Sequence, residues 1–188
     1  MKKAIVVILV IVAIIGIFAG IVVGSYNGFI DREEAVNTAK SNISTQLQRR
    51  ADLIPNFVTT VKGYSDYEQS TLTAVTEARA AVGKAQTVSE VENASAELDK
   101  AISVWVNAVT EAYPDLKANT QYVALQDELA GTENRIAVAR KDYNEVAKQY
   151  NLKVRRFPSN IVASLFGFDA VDYFEASESA NEVPQVNF

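Results

Sequence analysis

Two reactive residue types are missing from this chain: it has no cysteine and no histidine. Most nucleophile–base pairs and most transition-metal sites need one or the other. Their joint absence removes thiol catalysis, imidazole acid–base catalysis, zinc sites and disulfides, and leaves carboxylate chemistry as the residual catalytic option. The lack of cysteine does not fix the compartment, because a long helical domain can stand without disulfides in either redox environment. Proline is scarce, at four residues, and Pro55, Pro114 and Pro158 lie where a helix should start or stop. Base is also short: the net charge is -5, and the basic side chains include Lys2 and Lys3 at the extreme N-terminus. An acidic remainder argues against nucleic acid as a partner and against broad adhesion to anionic lipid.

What is present begins with an unbroken apolar run, Ala4 to Val23, inside a stretch without charge from Lys3 to Asp31. Twenty helical residues span about 30 Å, the thickness of a hydrocarbon core. A cleaved signal peptide has a shorter apolar core and a small-x-small cleavage site. This run is longer and no such site follows, so the reading is an uncleaved single-pass anchor. Without cysteine, a lipoprotein anchor is excluded. Lys2 and Lys3 place the N-terminus in the cytoplasm by the positive-inside rule, and the net acidic Asp31–Glu34 flank agrees. The domain that follows is then extracytoplasmic, on the bacterial inner membrane. Gly16, Gly20, Gly24 and Gly28 recur at every fourth residue and account for half of the eight glycines. On a helix they form a groove that lets a second helix approach closely. The bland alternative is that glycine is simply common in membrane helices.

Four segments with helical period follow. The first, Ile30 to Arg50, places Val36, Ile43, Leu47 and Arg50 on one face. The second, Pro55 to Ala85, has Phe57, Val61, Tyr64, Leu72, Val75, Ala78 and Val82. The third, Val88 to Ala112, has Val91, Leu98, Ile102, Trp105 and Val109. The fourth, Thr120 to Val154, has Tyr122, Leu125, Leu129, Thr132, Ile136, Ala139, Tyr143, Val146 and Tyr150. Ser89 with Glu92 fits a capping box, Pro114 ends the third segment, and Asn119 or Thr120 can cap the fourth. Short connections favour antiparallel neighbours, so the expected fold is all-α: one transmembrane helix and an antiparallel up-down four-helix bundle. Gly131 inside the fourth segment points to a close helix crossing, or to a ligand contact. Arg155 to Pro158 breaks the helix, and Ser159 can cap a short amphipathic helix over Asn160 to Phe166. The expected divisions are an anchor at 1–25, a bundle at 26–156, the short helix at 157–168 and an acidic, aromatic-bearing tail at 169–188.

Specific strings run through almost the whole chain in order. They are Tyr26-Asn27, QLQRRADLIPNFVTTVKGY (Gln46 to Tyr64), the lone Glu68, Ala78-Arg79-Ala80, and EAYPDLKAN (Glu111 to Asn119). LQDELAGTENRIAVARKDYN (Leu125 to Asn144), Tyr150-Asn151, FPSNIVASLFGF (Phe157 to Phe168) and the closing Pro184-x-Val-x-Phe188 complete them. With these the chain resembles the LemA family; Val104-Trp105-Val106 departs from that pattern and bears on packing. The resemblance implies a single-pass bacterial membrane protein with an antiparallel helical bundle. It also implies association with envelope processes, with magnetosome membranes in one branch, and no established enzymatic activity.

The polar residues at family-like positions are Arg49, Arg50, Asp52, Asn56, Glu68, Arg79, Glu133, Asn134, Arg140, Tyr143 and Asn144. Charges near an apolar stripe need partners, so these are expected to form an interhelical network that sets register. The sharper reading, Glu68 with Glu133 as a metal or acid–base pair, lacks the histidines that dimetal bundles use. Tyr173, Phe174 and Phe188 are candidates to dock the tail on the bundle or on a partner, because a purely solvating tail would not carry them. The functional expectation is a non-enzymatic membrane scaffold of the cell envelope. No cofactor, small-molecule substrate or nucleic acid is expected. The partners expected are the lipid bilayer, further copies of the chain, and an envelope protein. The alternative is a regulatory adaptor for an envelope protein such as a membrane protease.

Overall fold

The structure, a computed structural model, describes residues 2–62 and 69–175. Five α-helices and one short 3-10 turn make up the described residues, with no strand among them: α1 (Lys2–Lys62), α2 (Gln69–Val82), α3 (Val88–Ala112), the turn Pro114–Ala118, α4 (Thr120–Arg155) and α5 (Ser159–Phe166). The regular structure of the described residues is thus all helix, as the periodicity predicts.

The N-terminal part of α1 is long and apolar enough to cross a membrane, and it fits an anchor. Most large side chains of its run are half to two-thirds exposed, from Ile11 at 50% to Ile17 at 66%, a surface that water does not favour.

Pro55, expected to open a helix or to kink one, does not open one: α1 carries it in its interior. Proline there forfeits one backbone hydrogen bond and strains the preceding turn, at about 3 kcal/mol. Ala51, Ile54 and Phe57 around it are buried, while Pro55 itself faces outward. Burying an isoleucine and a phenylalanine contributes about 1.5–3 kcal/mol each, enough to offset that loss. The second helix therefore starts at Gln69 rather than Pro55.

The punctuation further along is largely as expected. Asn119 Oδ1 accepts from the backbone N–H groups of Gln121 and Tyr122, and caps α4. The capping box of α3 sits two residues earlier than Ser89–Glu92. Thr87 accepts from Glu90 N–H, and the Glu90 carboxylate accepts from the N–H groups of Thr87 and Gln86. Ser159 does not cap α5. Its hydroxyl donates to the carbonyls of Lys153 and Arg156, closing the end of α4 instead. Gly167, at φ 78°, ends α5 in the left-handed conformation, and the N–H of Phe168 returns to the Ala163 carbonyl.

The chain divides into two compact units. The first comprises Met1–Thr38 and Glu145–Asp172, and the second Ala39–Asn144 and Tyr173–Phe188. In the first, Phe29 is fully buried, stacks on Phe168 at 4.7 Å and meets the edge of Tyr150 at 6.2 Å. Val36, Ala147, Val162 and Ala163 complete that core. In the second, the expected stripes are inside: Ile43, Leu47 and Phe57 of α1, Val75, Ala78 and Val82 of α2, Leu98, Ile102, Trp105 and Val109 of α3, and Tyr122, Leu129 and Ile136 of α4. Phe57 is its aromatic hub, edge-on to Trp105 and to Tyr122, each at 5.5 Å. The expected core residues Val61, Tyr64 and Leu72 lie outside the residues whose side chains are described.

Candidate functional site

Three features carry the polar and surface chemistry: an ionic cluster inside the second unit, a pair of asparagine clamps, and the open face of α1.

The cluster is built on Arg50, which the apolar stripe of α1 carries inward until its side chain is only 9% exposed. Its guanidinium is 2.8 Å from Asp99 of α3 and pairs with Glu133 of α4. Arg140 of α4 donates to the buried hydroxyl of Ser95, one helical turn before Asp99, at 2.8 Å. Burial pulls the Arg50 pKa below its ordinary value despite the Asp99 charge. Burial also pushes Asp99 above the usual carboxylate range, outweighing Arg50 and Arg140, which act to lower it. Two cations and two carboxylates contributed by α1, α3 and α4 thus meet around a half-dry centre.

The outer members are more exposed. Arg49 pairs with Glu128 at 2.8 Å, and Arg135 reaches the same carboxylate at 3.1 Å. Asp52 accepts from Arg79 at 2.6 Å and from Gln48 at 2.9 Å. Asn56 and Asn134 lie on exposed positions, and Glu68 lies outside the described residues. The proposed Glu68–Glu133 pair therefore has one described member, and that member is engaged by Arg50. Among the described residues no three acidic, cysteine or histidine side chains are grouped to hold a metal ion. An open trough of about 830 Å3 between α2 and α3 is walled by alanines, among them Ala78, Ala81, Ala94 and Ala101, and by Glu77, Glu90 and Glu97.

The asparagine clamps hold the extended strap that follows α5. In the second unit, the Asn144 side-chain amide donates to the Phe174 carbonyl at 2.8 Å, and its oxygen accepts the Phe174 N–H at 2.9 Å. The Phe174 ring is buried edge-on against Tyr143, 5.0 Å away, with the Arg140 guanidinium 5.7 Å from its centre. In the first unit, Asn151 makes the same two bonds to Val171, both at 2.8 Å. Phe174 is thus docked on its own chain, Tyr173 is 43% exposed, and Phe188 lies outside the described residues. Ser95, Asp99, Glu128, Asn151 and Lys153 take part in these contacts and are absent from the candidates read from the sequence. Asn151 had a signal, since Tyr143-Asn144 and Tyr150-Asn151 are the same dipeptide one heptad apart.

On α1, a Cβ placed at Gly16, Gly20 or Gly24 meets nothing within 4 Å. Gly28 differs: a Cβ there collides with the Lys153 ammonium, which lies 4.7 Å from the centre of the Phe29 ring. The glycine line left free for another helix is therefore Gly16, Gly20 and Gly24. Gly131 makes no close crossing: an added Cβ would meet only the guanidinium of Arg135, from 3.6 Å.

A family model described as the LemA family matches residues 39–188. The chain is 29% identical to "Protein LemA" of Metamycoplasma hominis over 87% of its own length and 75% of that protein. It is 25% identical to "Magnetosome protein MamQ 2" of Paramagnetospirillum magneticum, over 85% of this chain and 67% of the relative. It is 23% identical to "Magnetosome protein MamQ" of Magnetospirillum gryphiswaldense over the same shares.

Proposed function

The chain belongs to the LemA family, and from that premise we propose that it is a non-enzymatic, membrane-anchored helical scaffold of the bacterial cell envelope. Its anchor is the apolar part of α1, and its outer domain is an antiparallel four-helix bundle of α1 to α4, with boundaries near residues 25, 156 and 168. The N-terminus is cytoplasmic and the bundle extracytoplasmic. Copies associate through the face of Gly16, Gly20 and Gly24. The observation that carries this reading is that these three glycines, on the exposed apolar part of α1, leave their side open. The ionic cluster supports the non-enzymatic part, because arginines hold its carboxylates and leave neither an acid nor a base poised for substrate. The resemblance to proteins named for the magnetosome is in keeping with an organising role at a membrane.

Native mass spectrometry of the detergent-extracted full chain tests the proposal. Wild type is expected as an oligomer, and Gly20→Leu as a smaller species with an unchanged melting temperature. A wild-type monomer under the mildest extraction would overturn self-association.

A regulatory adaptor is the second reading, favoured by the acidic, aromatic-bearing tail, whose sequence beyond the strap has Glu178, Glu182 and Phe188 and no basic residue. Crosslinking in membranes with and without residues 176–188 separates the two. Loss of a heterologous partner favours the adaptor, and loss of a homotypic ladder favours the scaffold.

A further inference from the structure

The first unit exposes an apolar face that its own core does not use. Within α5, Val162 and Ala163 turn inward, while Ile161 is 54% exposed, Leu165 72% and Phe166 49%. Phe157, just before the helix, is 81% exposed, the highest value among the large apolar side chains described. Ile161 and Leu165 are one helical turn apart and share a line on the surface. Exposed Arg155 and Arg156 precede them.

The place of this face decides what covers it. Along α4, Gln149 meets Arg32, and Lys153 lies beside Gly28 and over Phe29. Advancing along α4 therefore means descending α1 toward its apolar run, and Arg155, the last residue of α4, lies farther in that direction, with Arg156 and Phe157 in the turn that follows it. After the turn, Phe166 meets the edge of Tyr26 at 5.0 Å, and Phe168 packs on Tyr26 and Phe29 at 5.5 Å and 4.7 Å. Tyr26 is three residues, about 4.5 Å, beyond the last residue of the run, the depth at which tyrosine favours the lipid headgroups. An apolar helix face flanked by arginine and seated at that depth matches an interfacial helix, whose side chains enter the headgroup–acyl boundary.

We infer that α5 and Phe157 form a second membrane contact, in which Phe157, Ile161 and Leu165 insert into the outer interface of the bilayer that α1 spans, with Arg155 and Arg156 at the lipid phosphates. This rests on the anchor reading and goes beyond it. A lone spanning helix leaves the first unit free to spin and tilt, whereas a second contact beside it fixes its height and orientation over the lipid. The continuity of the face with the exposed surface of the anchor, and the arginines at its edge, select lipid over a protein occupant.

The absence of cysteine makes single-site labelling direct. The full-length chain, carrying an environment-sensitive fluorophore on Ile161→Cys or Leu165→Cys, is reconstituted into phosphatidylcholine vesicles with a minority of phosphatidylglycerol. Glu145→Cys is the reference in water, ten residues or about 15 Å up α4 from its end at Arg155. Ile14→Cys reports the anchor. All four must keep the wild-type melting temperature to be read. Nitroxide-bearing lipid is expected to quench the α5 labels about threefold more than the Glu145 label, and aqueous iodide about threefold less. Labels on α5 that behave like Glu145, or that are shielded from both quenchers by protein, overturn the inference. If Ile14 is quenched by lipid and α5 is not, the anchor stands and this contact falls. If Ile14 is not quenched either, both fall together.

Discussion

Arg50 occupies a position that the apolar pattern assigns to the core, and it is there because Asp99 and Glu133 meet it. Removing a buried charge's partner costs more than the pair contributes, since the survivor is left in a poor solvent. Arg50→Ala is expected to destabilise the detergent-solubilised protein by about 3 kcal/mol, and Arg50→Met combined with Asp99→Leu by clearly less. Chemical denaturation of the two variants checks this. The cluster also shapes the response to acid. Glu128 is held below the usual carboxylate range by its hydrogen bond from Arg135, with help from Arg49, so its stabilising contribution is present at neutral pH and is lost as pH falls. Burial places Asp99 above that range, so its contribution has the opposite sign: the fold gains as Asp99 takes up its proton. Thermal melts between about pH 6 and pH 3 should therefore show a shallower acid loss in Glu128→Gln and a steeper one in Asp99→Asn. Asn144→Ala removes both bonds to Phe174 and is expected to cost about 1–2 kcal/mol and to speed proteolysis between Phe168 and Glu175. Arg50, Arg140 and Asn144 were legible as polar residues needing partners, but the partners were not. Ser95 and Asp99 read as ordinary polar positions on α3 until the fold brings α1 and α4 to them.

At the scale of elements, periodicity was informative wherever one face is buried. The stripes Val36–Ile43–Leu47 and Val91–Leu98–Ile102–Trp105–Val109 are inside throughout. Boundaries were less legible, for two physical reasons. Proline ends helices only when nothing outweighs its missing hydrogen bond, and burial of Ile54 and Phe57 outweighs it at Pro55. The capping motif needs a hydroxyl followed three residues later by a carboxylate, and both Thr87–Glu90 and Ser89–Glu92 satisfy it, so backbone geometry had to choose. Thr87→Ala is expected to lower stability by about 1 kcal/mol, while Ser89→Ala leaves it nearly unchanged. Helical circular dichroism followed through thermal melts distinguishes the two. The strap was the least legible element, because an extended segment held by side-chain amides has no hydrophobic period. The repeated Tyr-Asn dipeptide was the one trace it left.

For the whole molecule, the apolar stretch of α1 is the feature on which every functional statement depends. Its side chains are exposed over more than four helical turns, and the glycine line through Gly16, Gly20 and Gly24 has meaning only if lipid surrounds it. Anchoring, self-association and the lipid contact of α5 all require that this stretch stays joined to the rest. Intact-mass spectrometry on protein recovered from alkali-washed membranes of cells expressing the untagged chain tests this directly. The account predicts a membrane-retained species whose mass includes Lys2 to Val23. A freely soluble species lacking those residues would contradict it.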